Sequence, residues 1–205
     1  MFETTINDIT IKLETDLSVF SPSAIDSGTL AMLSFLDLKE EDKVLDLGCG
    51  QGPVGIYCAK ILGENRVVMC DVSSEAVNIS KSNAVLNNLD NLCIIESNGF
   101  ANIEDKDFTV ILSNPPYHTD FSVAKEFIEN GFKHLVVGGT MFMVTKRLEW
   151  YKNKLTSIFG GVKVREKDGY YVFIAEKRAP SISKKKKEQK NTLSKKLQRK
   201  QKPKK

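Results

Sequence analysis

The chain has 205 residues, 41% of them hydrophobic, and carries 30 Lys and Arg against 26 Asp and Glu for a formal net charge of +4. That length suits one sizeable α/β core and leaves little room for a second full domain, while the lack of a charged-then-apolar leader or of any apolar run of about 18 residues argues against export and against a membrane span. Cys49, Cys58, Cys70 and Cys93 form no CxxC pair and have no histidine nearby in sequence, so neither a metal cluster nor a disulfide framework is expected. Reduced, buried thiols in a cytoplasmic protein are the expectation.

In chain order, residues 9–14 (ITIKLE) read as a strand, 19–28 as a loop with a helix start, and 29–36 (TLAMLSFL) as an amphipathic helix; these first 40 residues form an extension to the body at 1–180. From residue 43 onward, short β-rich apolar runs alternate with longer helical stretches, the pattern of βαβ units and a parallel sheet. Strands are predicted at 43–48, 66–71, 92–97 and 108–114, and helices at 53–62 and 74–87. The strands are apolar nearly throughout, as expected when helices cover both faces. A helix at 121–136, a strand at 139–146 and a helix at 148–158 follow. Two last strands, 161–167 and 169–177, are joined through Asp168-Gly169, a strong hairpin signal that gives the sheet an antiparallel edge.

The stretch DLGCGQGPVG (46–55) lies between the first core strand and its helix, with glycines at 48, 50, 52 and 55. Glycine there permits positive φ and close approach of a ligand, and the helix start behind it offers free N–H groups. Asp71 ends the second core strand, 21 positions after Gly50, where a carboxylate can accept both ribose hydroxyls of a nucleoside. The spacing is GxGxG rather than GxGxxG and is preceded by the acid Asp46, which suits a cationic ligand such as S-adenosylmethionine better than a pyrophosphate. Asp46 can also cap the following turn, and the two roles can coexist.

With SNPPYH (113–118) added, these motifs resemble the Rossmann-like class I methyltransferases. The upstream LETDLSVFSPSAIDSGT (13–29) narrows the likeness to a small-domain branch similar to the ribosomal RNA guanine-N2 methyltransferases of the small subunit (16S rRNA). The resemblance runs from about residue 9 to 177. It implies S-adenosylmethionine as cofactor and a seven-stranded, mostly parallel sheet with helices on both faces and an antiparallel last strand, in agreement with the Asp168-Gly169 hairpin. It also implies that a loop holding Phe20, Ser21, Asp26, Gly28 and Thr29 lies over the cofactor, and that Asp46, Gly48, Cys49, Gly50, Asp71, Val72, Ser97, Asn98 and Asn114 bind it. Where the family usually has an aspartate for the adenine amine, this chain has Asn98, which keeps an amide oxygen but no charge; reduced cofactor affinity is expected.

The strand at 108–114 ends abruptly in Asn114-Pro115-Pro116-Tyr117. An exocyclic amine on a base, or a side-chain amide nitrogen, has its lone pair delocalised into a π system. Two carbonyl-type acceptors gripping its hydrogens allow it to pyramidalise toward a methyl donor, so positioning supplies most of the catalysis. Asn114 offers its side-chain oxygen and Pro115 its backbone carbonyl; prolines bring no competing N–H and stiffen the turn, and Tyr117 offers a stacking face for a flipped base. His118 is left as a substrate-orienting or backbone-bonding group, because the reaction needs no strong base before bond formation. His134 is read as structural, Lys146 and Arg147 as either phosphate contacts or solvated charges, and Tyr170 and Tyr171 as hairpin packing.

Residues 181–205 hold 12 Lys and Arg and one acid, Glu188, which leaves 18 basic and 25 acidic residues in the first 180. An acidic body thus carries a basic tail with few apolar side chains, expected to be disordered and to attract a phosphate backbone. The leading reading is an RNA methyltransferase acting on ribosomal RNA or the small ribosomal subunit, a monomer or weak dimer without membrane contact. Some relatives carry a second, degenerate methyltransferase domain that is not expected here. Open beside this reading are a protein glutamine-amide N5 methyltransferase, an adenine-N6 methyltransferase of DNA or RNA, and a non-catalytic, cofactor-binding assembly factor.

Overall fold

The computed structural model describes residues 1–14, 25–115 and 121–179. Phe20, Ser21, Pro116, Tyr117, His118 and the basic tail lie outside the described residues.

The chain opens with a hairpin of β1 (Phe2–Ile6) and β2 (Ile9–Leu13). Its two-residue turn, Asn7-Asp8, has φ of 46° and 67°, the left-handed conformation that twist-matched hairpin turns require and that Asn and Asp tolerate. β1 is not among the elements predicted from sequence. β2 turns Ile11 and Leu13 into the core. Its outer edge is covered by side-chain amides rather than by another strand. Asn87 exchanges bonds with the Lys12 backbone (3.0 and 2.7 Å), and Asn83 bonds the carbonyl of Glu14 at 3.1 Å. An edge satisfied in this way offers no template for stray pairing.

Helix α1 (Ser27–Leu33) begins two residues earlier than the apolar stripe indicates, because Asp26 accepts from the Thr29 N–H at 3.1 Å and caps it. The core units then follow: β3 (Val44–Leu47), α2 (Pro53–Leu62), β4 (Val67–Asp71), α3 (Ser74–Leu86), β5 (Cys93–Glu96), β6 (Phe108–Ser113), α4 (Ser122–His134), β7 (Leu135–Thr145), α5 (Leu148–Phe159), β8 (Lys163–Lys167) and β9 (Tyr170–Glu176). The helix predicted at 121–136 stops at His134, and the chain passes straight into β7. The first residues of β7 are irregular, with a register shift against β6 between Phe108 and Val110; Gly138, at φ 88°, lies inside that shift. The regular ladder starts at Thr140, beside the predicted start at Gly139.

The sheet order is β5-β4-β3-β6-β7-β9-β8. Strands β5, β4, β3, β6 and β7 are parallel, and β9 runs antiparallel between β7 and β8. The expected seven-stranded, mostly parallel α/β sheet is therefore present. Side-chain alternation splits the core into two layers. Val110, Leu112, Phe142, Val144 and Val172 pack with the hairpin, α1, α2 and α3, whereas Ile111, Met141, Met143, Phe173 and Ala175 pack with α4 and α5. One expectation fails at the edge: Cys93 on β5 is exposed, although Cys49, Cys58 and Cys70 are buried.

Two consequences of topology build the site. The chain leaves β3 leftward to β4 and β5, then returns to β6 on the other side of β3, so the crevice beyond the carboxyl ends of β3 and β6 is a topological switch point. Because β9 is antiparallel, its first residues lie beside the last residues of β7, with Tyr171 opposite Thr145. Tyr170 therefore arrives at the same edge.

Candidate active site

The turn after β3 is held open by its glycines. Gly48, Gly50 and Gly52 have φ of 78°, 56° and 91°, and the Gly48 and Cys49 N–H groups both donate to the Cys70 carbonyl at 2.9 Å. A Cβ at Gly50 would meet nothing within 4 Å, so this turn faces open space. Gly55 is different: a Cβ there would lie 2.4 Å from Cγ and Sδ of Met69. It serves the close packing of α2 on β4. Ser80 donates to the Gly50 carbonyl at 2.7 Å, and Asn83 to the Gln51 carbonyl at 2.9 Å; α3 thereby fixes the turn from behind.

Alternation along β3 points Val44 and Asp46 toward α2, and the Asp46 carboxylate accepts from the Gly55 N–H at 2.8 Å. The capping role read from sequence is present. Asp46 is fully enclosed; burial pushes its carboxyl up to about 7 from the usual carboxylate range, the Gly55 bond opposes the shift, and the charge of Asp71 adds to it. Folding therefore binds a proton that the unfolded chain has released between pH of about 4 and about 7, and this contribution to stability is lost as pH rises through that window. In urea titrations of the ligand-free protein, Asp46→Asn is expected to flatten the decline in stability between pH 5 and pH 8; an unchanged pH slope would refute the assignment.

Asp71, at the end of β4, accepts from the Gly50 N–H (2.9 Å) through one oxygen and from the Ser73 N–H (3.0 Å) through the other. Each oxygen keeps a second lone pair, enough for the two hydroxyls of a ribose. Val72 follows with 66% of its surface exposed, an apolar face beside that carboxylate. Beyond β5, Ser97 is buried and spends its hydroxyl locally, donating to the Gly99 carbonyl at 2.8 Å and accepting from the Asn102 N–H at 3.0 Å. Asn98 is exposed on that turn. The buried cysteine thiols are pushed up by desolvation, Cys70 to about 12, so Cys49 and its neighbours are neutral packing groups.

Ser113 closes the end of β6 by donating to the Leu47 carbonyl at 2.8 Å, which sets Asn114 beside the glycine turn. The Asn114 amide nitrogen donates to Asp26 Oδ2 at 2.8 Å and to Thr29 Oγ1 at 3.1 Å. The Tyr170 hydroxyl donates to the other Asp26 oxygen at 3.3 Å. A Cβ at Gly28 would lie 2.8 Å from Asp26 Oδ2 and from the Tyr170 ring, so this glycine lets α1 approach β9. Tyr170 is thus more than the hairpin packing residue predicted from sequence. Nothing in the local pattern signals that reach, which arises from the antiparallel insertion of β9.

The remaining candidates separate. His134 lies 4.4 Å from the Phe100 ring, centroid to centroid, and pairs through Nδ1 with the Asn130 carbonyl at 2.8 Å, a packing role. Lys146 and Arg147 are exposed after β7, with their charges over the rings of Tyr170 (4.8 Å) and Phe121 (5.0 Å). Among the described residues, no group of three or more His, Cys, Asp or Glu is placed to hold a metal ion. No helix among them is long and apolar enough to cross a membrane.

Comparison with known proteins agrees with this geometry. The model of the methyltransferase small domain matches residues 10–174. The Cronobacter sakazakii ribosomal RNA small subunit methyltransferase C is 34% identical over 170 residues, covering 81% of this chain and 48% of that protein. The Bacillus subtilis protein YbxB is 33% identical over 168 residues, covering 79% and 84%. The chain thus spans about half the length of the ribosomal RNA methyltransferases it matches. Among solved structures, the Thermus thermophilus 16S rRNA N2 G1207 methyltransferase (RsmC) in complex with AdoMet and guanosine aligns with a TM-score of 0.78 at 26% identity, over 86% of this chain and 50% of that one. A glycine turn flanked by Asp46 and Asp71, with Asn114 at the neighbouring strand end, is what the matched family model spans, and the chain belongs to the methyltransferase small domain family, with the Rossmann-like fold and S-adenosylmethionine dependence that its sequence leads one to expect.

Proposed function

We propose that the protein methylates an exocyclic amine of ribosomal RNA, guanine N2 in the first instance, in the cytoplasm. The observation that carries this reading is the Asn114 carboxamide, held by its nitrogen at the carboxyl end of β6 and next to the glycine turn. The relatives named as ribosomal RNA methyltransferases, and the Thermus enzyme with guanosine bound, support the choice of substrate class.

The residues present fit the cofactor on the chemistry of their donors and acceptors. Asp71 and the backbone around Gly50 suit a ribose, and Val72 and Asn98 an adenine; Gly28, Thr29, Gly48, Cys49 and Ser97 frame them, while the enclosed Asp46 supports the glycine turn from beneath through Gly55. S-adenosylmethionine supplies a methyl carbon on a sulfonium, whose bonding pair returns to sulfur as the group is transferred. The protein's share is to hold the amine. Asn114 Oδ1 accepts one amine hydrogen and the Pro115 carbonyl the other, so the nitrogen turns its lone pair toward the methyl carbon as the new bond forms. The surplus proton then leaves to water, so the step calls for no strong base. Tyr117 supplies a stacking face, and Lys146 and Arg147 stand at the same edge for phosphate.

The test is incubation of the full chain with methyl-labelled S-adenosylmethionine and unmodified ribosomal subunits, followed by mass mapping of nucleosides. Label on a guanine N2 supports the proposal; label on adenine N6 or on a protein glutamine amide would replace it. We assign residues 1–180 to the catalytic body and 181–205 to phosphate-backbone attraction. Deletion of 181–205 is expected to weaken RNA binding, measured by fluorescence anisotropy at rising salt, and to leave cofactor affinity intact. Equal RNA affinity at physiological salt would remove the tail from the mechanism.

A further inference from the structure

We propose that Asp26 is a positioning residue whose carboxylate sets the orientation of the Asn114 carboxamide, turning Oδ1 toward the substrate amine. This rests on the reading of Asn114 as the amine acceptor. A carboxamide can present either of two ends, and only the oxygen end is useful here, since an NH2 group pointed at an amine would set donor against donor.

Asp26 decides between the two ends. A carboxylate only accepts, and its Oδ2 lies 2.8 Å from Asn114 Nδ2; the reversed amide would place two acceptors against each other in a part-buried site, where such a contact is little screened. Thr29 Oγ1 takes the second hydrogen at 3.1 Å. With both nitrogen hydrogens engaged, Oδ1 is the end left for the substrate. The neighbouring negative charge also polarises the amide and makes that oxygen a better acceptor.

The carboxylate is itself fixed from two elements. Its Oδ2 caps α1 through the Thr29 N–H (3.1 Å), and its Oδ1 accepts from the Tyr170 hydroxyl on β9 (3.3 Å). Gly28 gives it room, because any larger residue would put a Cβ 2.8 Å from Oδ2. The resemblance assigns Asp26 to the cofactor loop; the hydrogen bonds direct it to the acceptor amide.

Asp26→Asn separates this role from a structural one, since asparagine caps a helix as well as aspartate does but no longer imposes an acceptor. In the full chain, kcat is expected to fall by roughly 100-fold, while cofactor affinity by calorimetry and the unfolding midpoint stay near their wild-type values. In ligand-free 15N–1H spectra, the side-chain amide pair of Asn114, assigned through its loss in Asn114→Ala, should shift in Asp26→Asn while the bulk of the backbone spectrum does not. In an Asn114→Ala background, Asp26→Asn should have no further effect on rate. Wild-type kcat with unmoved Asn114 resonances, a loss confined to cofactor affinity, or effects that multiply in the double variant would each overturn the proposal. If the wild-type protein methylates no amine at all, the reading of the reaction fails while the ligand-free spectra still report on the Asp26–Asn114 clamp.

Discussion

Asn114→Ala is expected to lower kcat by about 1,000-fold and to leave the cofactor dissociation constant within the same order of magnitude. Removing one preorganised polar group from the atom where charge develops costs about 10²–10³ in rate. On the proposed reading, that group is one of two acceptors gripping the amine. Asn114→Asp should be no better, despite keeping an oxygen, because it sets a second carboxylate against Asp26 where the amide nitrogen now sits at 2.8 Å; like charges that close disfavour ionisation or push the side chain away. Single-turnover kinetics with saturating cofactor, paired with calorimetry, read the two effects separately. A wild-type rate for Asn114→Ala would move the chemistry elsewhere.

The second large effect is on folding and divides the glycines by task. Gly55→Val is expected to cost about 3 kcal/mol or more in urea unfolding, since overpacking of a close-packed interior usually costs 1–3 kcal/mol, and here the added Cβ alone would lie 2.4 Å from Cγ and Sδ of Met69, itself without solvent exposure. Gly50→Ala meets nothing within 4 Å, so its cost is confined to the left-handed backbone at φ 56°, about 1–2 kcal/mol. It should fold and bind cofactor weakly. If Gly55→Val proved as stable as the wild type, the packing of α2 on β4 through this glycine would be wrong.

The contrast between those glycines also marks how far the sequence carries. GxGxG after an apolar strand places the turn, and Asp71 follows from its spacing, because both are fixed by local chain geometry. The strands 43–48, 66–71 and 108–114 are legible for the same reason: long buried runs have one way to be satisfied in a sheet. The hairpin strand β1 is not legible, since polar Thr4 stands at the inward position between Phe2 and Ile6 and breaks the apolar alternation. The hydrogen-bonded set of Asp26, Thr29, Asn114 and Tyr170 draws on positions up to 144 residues apart, and no periodicity reports such a distance. Its members are visible singly, as loop and helix-start residues, a strand end and a hairpin aromatic. Only the order of strands at the right-hand side of the sheet brings them together.

That strand order has a bearing on how the molecule is made. β8 leaves the ribosome before β9, yet in the finished sheet it pairs with β9 alone, and β7 waits for the same strand to cover its free side. Until residues 170–176 have been synthesised, a nascent chain carries an open, apolar border at β7, the kind of surface that recruits chaperones or neighbouring chains. The strand that seals the border also delivers Tyr170, so assembly of the amide clamp coincides with completion of the sheet.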